Sequence, residues 1–265
     1  MPRAALLIVL FLFAPLAARA EAGPSVFLEE LTWIEVRDAT AAGKTTIIIP
    51  LGGTEQNGPH MVLGKHNARV KLLAGRIALA LGNALVAPVL AYVPEGASSP
   101  PTAHMRFPGT ISIPEATLAE ILESSARGFR LHGFKDIVFI GDHGGYQKVM
   151  ARAAGELNRE WAKTSVRAHA IEEYYTAAEK DFAQYLKGKG FAAEEIGTHA
   201  GLADTSLALA VDPALVRPEQ MKAAKGKAEG VYGNPARASA ELGRAGLDLI
   251  VERTVAAIRK ATARQ

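Results

Sequence analysis

The sequence predicts an α/β domain built on a mainly parallel sheet. Three observations predict it: short β-branched apolar runs, helical patterns alternating with them, and Gly-rich polar loops directly after two of the runs. Thr32-Trp33-Ile34-Glu35 forms a capping box, which opens a helix running to about Gly43. Residues 45–51 (TTIIIPL) follow, with the composition of a strand buried on both faces. After a Gly-rich loop, Val70, Leu73, Ala74, Ile77 and Leu81 share one helical face. A second apolar strand is expected over about residues 84–91. A loop rich in Pro, Ser and Gly covers residues 94–109. A helix over residues 114–132 ends at Gly133, a natural C′ residue. Residues 137–140 form the third buried strand, a glycine loop and helix come next, and residues 166–171 form the fourth strand. Parallel sheets gather their sites at the carboxyl ends of the strands. That brings forward two loops, residues 52–67 and 141–146.

Composition narrows the function. The chain has 265 residues, 49% hydrophobic and 22% charged, a globular profile large enough to bury a core without staples. It has no cysteine, which excludes disulfides, thiol nucleophiles, thiolate zinc sites and iron–sulfur clusters. The formal charge is +3, but Arg3 and Arg19 fall in a removable-looking leader. Without them the basic and acidic residues nearly balance, and a nucleic-acid binder would show a basic surplus. The leader has Arg3, an apolar run from Ala4 to Ala14, Pro15 and the small-x-small triplet Ala18-Arg19-Ala20. This is the pattern of a cleaved secretory signal. It divides the chain into a signal peptide, residues 1–20, and one mature domain, residues 21–265. The mature protein is expected in the periplasm, with no membrane association after signal removal.

Ligand-type side chains cluster in the loops. Five histidines, His60, His66, His104, His143 and His199, are assigned to loops; His132 and His169 read as structural. The first loop reads Gly52-Gly53-Thr54-Glu55-Gln56-Asn57-Gly58-Pro59-His60, then Lys65-His66-Asn67. The second reads Gly141-Asp142-His143-Gly144-Gly145, and a third segment reads His199-Ala200-Gly201-Leu202-Ala203-Asp204-Thr205-Ser206. Carboxylate with imidazole and no thiolate suits zinc, manganese or iron. There is no G-x-S-x-G elbow, phosphate loop or dinucleotide fingerprint.

Together these segments resemble the creatininase (creatinine amidohydrolase) family, over roughly Phe27 to Ile258. Leu31-Thr32-Trp33, Gly53 to His60, Phe107-Pro108-Gly109-Thr110-Ile111-Ser112, Asp142-His143-Gly144-Gly145 and His199-Ala200-Gly201 with Asp204-Thr205-Ser206 carry the likeness. Gly233-Asn234-Pro235 and Ala238 to Gly243 add to it. The resemblance implies a three-layer α/β/α fold, a homo-oligomer (a hexamer in the family), and metal-dependent hydrolysis of amide-type C–N bonds in a small-molecule substrate. The family's metal-binding Glu matches Glu55 and its loop His matches His143. Its ligand His becomes Asn57, its bridging Asp becomes His66, and the Gly before its loop His becomes Asp142. A neutral His66 cannot bridge two ions as a carboxylate does. The implied centre therefore holds one divalent transition metal, zinc first, on Glu55, His66 and His143, with Asp142 as a further ligand or outer partner. His199, matching the family's proton-transfer histidine, and Asp204 are expected to move the proton. His60, His104, Tyr146 and Asn57 are candidate substrate contacts. The rival reading is a non-catalytic periplasmic small-molecule binder on the same fold.

Overall fold

The computed structural model describes residues 25–224 and 226–263. The signal segment, residues 1–20, lies outside the described residues. Helix α1 (Trp33–Ala41) opens with the expected capping box: Thr32 Oγ1 accepts from the Glu35 amide, and Glu35 accepts from the Thr32 amide. Then come β1 (Thr46–Leu51), α2 (Lys65–Leu81), β2 (Ala84–Val86), α3 (Glu115–Leu131), β3 (Asp136–Gly141), α4 (Gln147–Glu160) and β4 (Arg167–Ala170). All four strands pair in parallel, in the order β2-β1-β3-β4, with Thr46 opposite both Ala84 and Asp136.

The strands sort their side chains by parity. Ile48, Val138 and Ile140 face a core with α2, while Ile47, Ile49, Ile137 and Phe139 face α3 and α4. Every residue of β1 and β3 is buried, which is why both read as continuous rather than alternating apolar runs. The helices on the two faces give the α/β/α layering. The second strand is shorter than its apolar run. Pro88 has no N–H to add to the ladder, so pairing stops after Ala87 and resumes at Leu90, whose amide donates to Pro50 O (3.0 Å).

Past β4 the chain is helical. It forms α5 (Glu173–Thr176), a π-helical turn (Ala177–Asp181), α6 (Phe182–Gly188), α7 (Ala193–Ile196), α8 (Leu202–Val211), α9 (Pro218–Ala223) and α10 (Ala240–Thr262). α10 is capped by Ser239 and closes the α2 face with Leu247, Ile250 and Ile258. Gly243 lets α10 lie against the backbone of α8 at Ser206, where a Cβ would collide with the carbonyl. None of the described helices is long and apolar enough to cross a membrane.

Candidate metal centre

A cavity of about 330 Å³ opens at the carboxyl ends of the sheet, between the loops after β1 and β3. The β1 loop turns sharply at Gly58 (φ 66°), where a Cβ would meet Val231 and His60. Asn57 is fully buried, and its amide donates to Glu55 O (2.9 Å) and Val62 O (3.1 Å). His60 is also fully buried, with Nε2 2.9 Å from Thr205 Oγ1. Both side chains therefore brace the loop from behind and leave Glu55 pointing into the site.

Four side chains converge there. One ligand atom each from Glu55, Glu95, His104 and His143 lies within 4.8 Å of the others. Glu55 follows β1, and His143 follows β3. Glu95 and His104 come from the long loop after β2, His104 on a 3-10 turn (Ala103–Arg106). Three neighbouring parallel strands thus each send a loop to one point. Glu55 Oε2 and both Glu95 carboxyl oxygens are buried without a hydrogen-bond partner. His104 Nε2 stands 3.1 Å from Glu55 Oε2 without hydrogen-bonding geometry. Buried carboxylates deprived of donors are costly in an interior, and a divalent cation among two carboxylates and two imidazoles removes that cost. The donor set fits a transition metal.

The electrostatics agree. Burial, then the neighbouring Glu55 charge and the acceptor that Glu55 offers a protonated Glu95, pushes Glu95 up to about 10, so without a cation this carboxyl is held as the neutral acid. Burial opposes ionisation of Glu55 too, but the hydrogen bond and charge of His66 outweigh it and hold Glu55 well below the usual range. Burial depresses His143 to about 4 and lowers His104, so both rings are neutral at pH 7. A metal must therefore displace one proton, that of Glu95. Zinc affinity is expected to rise by about tenfold per pH unit between pH 6 and pH 8. Calorimetry in buffers of different ionisation enthalpy reads the proton released; a flat affinity would show that Glu95 is not a ligand.

Behind this cluster lies a buried charge network. His66, in the first turn of α2 rather than in a loop, has Nε2 2.8 Å from Glu55 Oε1 and Nδ1 2.6 Å from Asp142 Oδ2. Carboxylates only accept, so both ring nitrogens carry protons and His66 is a cation. Burial and Lys65 disfavour that charge, but the two carboxylates prevail and raise its pKa. Arg69 Nε donates to both Asp142 oxygens (3.0 and 2.8 Å), Tyr174 Oη donates to Asp142 Oδ1 (2.7 Å), and Arg69 Nη1 donates to Asp204 Oδ1 (2.9 Å). Lys65 Nζ and the Ala200 amide hold Asp204 Oδ2.

The site expected from sequence is thus partly assembled. His143, His104 and His199 line the cavity, with Glu55 fully buried directly behind them. His66 touches Glu55, but both its nitrogens are engaged, and Asp142 is held by Arg69, His66 and Tyr174. Asp204 lines the cavity with its oxygens already paired. Tyr146 is fully buried under the site: its hydroxyl lies 2.8 Å from Leu51 O and 2.6 Å from Gly52 O, and accepts from the Asp142 and His143 amides (both 3.1 Å). It ties the ends of β1 and β3 together. Tyr146→Phe is expected to cost about 2 kcal/mol, because it orphans buried backbone groups; urea denaturation measures it. Glu95, Lys65 and Arg69 were missed. Glu95 had one signal, being the sole acidic residue of the 94–109 loop.

Comparison with known proteins places this geometry. The family profile described as Creatininase: Creatinine amidohydrolase matches residues 29–258. A creatinine amidohydrolase of Pseudomonas putida is 32% identical over 200 residues, 72% of this chain and 74% of that protein. A mycofactocin precursor peptide peptidase of Mycolicibacterium smegmatis is 35% identical over 130 residues, 45% of this chain and 50% of that protein. A solved creatininase variant of the Zn-Zn type superposes with a TM-score of 0.75 at 28% identity, covering 91% of this chain and 100% of that one.

Proposed function

Because the chain belongs to the creatininase family of metal-dependent amidohydrolases, we propose that it hydrolyses amide-type C–N bonds of a small molecule at one transition-metal ion held by Glu55, Glu95, His104 and His143. The observation that carries this reading is the convergence of those four ligand atoms with three of their carboxyl oxygens unpartnered. Bound there by Glu55, Glu95, His104 and His143, such an ion, zinc first, would supply Lewis-acid chemistry toward the amide carbonyl and water.

The protein does the rest. His66, pinned between Glu55 and Asp142, fixes one Glu55 oxygen and leaves the other for the ion. His199 Nε2 lies 3.0 Å from both the Gln56 carbonyl and the Gln56 side-chain amide, and its Nδ1 faces Glu55 Oε1 at 3.8 Å. Burial lowers His199 to about 4, so it is neutral at pH 7 and its protonated form gives the proton up readily. It takes a proton from water and delivers it to the leaving nitrogen. Asp204, saturated by Lys65 and Arg69, positions rather than shuttles. His199→Ala is expected to lower kcat by about 10²–10³ with metal content unchanged, read by steady-state kinetics with elemental analysis on the same sample. An unchanged kcat would remove His199 from the chemistry.

One ion per chain follows from charge. A protonated His66 already fills the space beside Glu55, and a second cation there would be repelled. Elemental analysis of chelator-free protein should give about one equivalent; two would overturn the single-ion reading. We further propose a periplasmic location with cleavage after Ala20, resting on the leader pattern. Intact mass beginning at Glu21 tests it, and retention of Met1 would contradict it. A homo-oligomer, a hexamer by family resemblance, is proposed as well; exposed Trp33 and Leu131 are apolar surface available to it. Light scattering gives the assembly size, and a monomer would contradict it.

A further inference from the structure

We propose that the ligand cluster is open on two sides and that its second opening is a subsite for a linear aliphatic acyl chain. The inference rests on the amide-hydrolase reading above. A cleft of about 450 Å³ lies on the far side of the 94–109 loop and shares Ala103, His104 and His143 with the first cavity. Glu95 lines this second cleft and not the first. A further hollow of about 290 Å³ continues from it past Gly96, Ser112, Ile113 and Pro114. His104 and His143 therefore stand between two spaces, with Glu95 facing the second and Glu55 buried behind the pair.

The two spaces differ in chemistry. Lys65, Arg69, Asp204 and His199 line the first and none of them reaches the second. Apart from the ligands Glu95, His104 and His143, the second is walled by Pro94, Ala103, Ile113, Pro114 and two glycines, with Ser112 and Glu115 as its other polar groups. This asymmetry orients the substrate. In hydrolysis the C–N bond breaks, the water oxygen bonds to the carbonyl carbon, and a water proton ends on the nitrogen. His199, the group placed to deliver that proton, stands only on the first side, so the amine half lies there and leaves through the polar cavity. The carbonyl carbon's other substituent must then point across the cluster into the second cleft. A narrow cleft with a mostly apolar wall beyond the ligands, extended by a further hollow of small residues, suits an unbranched chain of several carbons better than a compact ring.

The test uses the zinc-loaded full chain and acyl anilides of one amine with formyl, butanoyl and hexanoyl groups. It also uses calorimetric binding of formate and hexanoate. kcat/KM is expected to rise by about threefold per methylene, as burial of CH₂ groups in a cleft partly open to water implies. Hexanoate should bind at least tenfold more tightly than formate. Ile113→Trp, which fills the cleft, should bring both ratios near one. Ile113 is half-buried, so Glu115→Trp, at the exposed mouth of the same cleft, serves as a second block that spares the core. Flat length dependence, or ratios unmoved by both variants, overturns the subsite while leaving amide hydrolysis standing. If no anilide is cleaved but hexanoate discrimination persists and both variants abolish it, the hydrolase reading falls and the subsite stands. Loss of both overturns both.

Discussion

Asp142→Asn is expected to lower the unfolding free energy by about 3–5 kcal/mol, the usual cost of removing one partner from a buried ion pair. Asp142 is buried and holds two cations, Arg69 and the doubly protonated His66, together with the Tyr174 hydroxyl. The amide keeps the shape and loses the charge, so Arg69 and His66 stay in the interior with too few acceptors. The pH dependence follows from two shifts of opposite sign. Burial opposes the Asp142 charge, but Arg69 and His66 more than offset it and lower its pKa. Its contribution is present above the ordinary carboxylate range near pH 3.8 and is lost as pH falls through the depressed value. The His66 pKa is raised, so its contribution is complete below about pH 6.5 and is lost as pH rises through the raised value. The parent should be most stable between these limits, and the variant should lose most of that maximum. Urea denaturation across pH 2–9 reads both. A variant within 0.5 kcal/mol of the parent at pH 6 would show that Asp142 carries no weight in the network.

His143→Ala is expected to weaken zinc binding by more than 100-fold, beyond the roughly 10–100-fold cost of losing an outer partner, and to abolish amide hydrolysis. The ring is one of two neutral imidazoles in the cluster, and its loss leaves Glu55 and Glu95 as adjacent carboxylates with His104 alone between them. Circular dichroism should show the fold intact, because His143 stands on a loop and is not part of the Asp142 network. Competition with a chromophoric chelator measures the affinity. Unchanged affinity with lost folding would make His143 a structural residue.

The scaffold could be read because its strands obey simple rules. Residues 45–51 and 137–140 are β-branched or apolar throughout, and their neighbours bury both faces. Pro88 cut the second strand short, an effect that an apolar run conceals. The helical C-terminal third escaped because α8 and α10 pack through glycine and alanine as much as through a large apolar stripe, so their periodicity is weak. At the site, Glu55 and His143 are legible through the glycine-rich loop motifs that resemble the creatininase family. Glu95 and His104 sit 40 or more positions from Glu55 in sequence and reach it only because β2 lies beside β1. The sequence predicts His66 as a loop ligand, whereas it lies in α2. Its position one residue into α2, flanked by Lys65 and followed by Arg69, turns it toward a network whose partners come from three separate segments. Spacing carries no trace of such convergence.

The most direct test of the single-ion centre is a crystal structure of the zinc-loaded protein with the ion located by anomalous scattering. The account predicts one peak per chain, about 2.0–2.2 Å from atoms of Glu55, Glu95, His104 and His143, with His66 still bridging Glu55 and Asp142. A peak on His66 or Asp142, or a second peak beside Glu55, would contradict it.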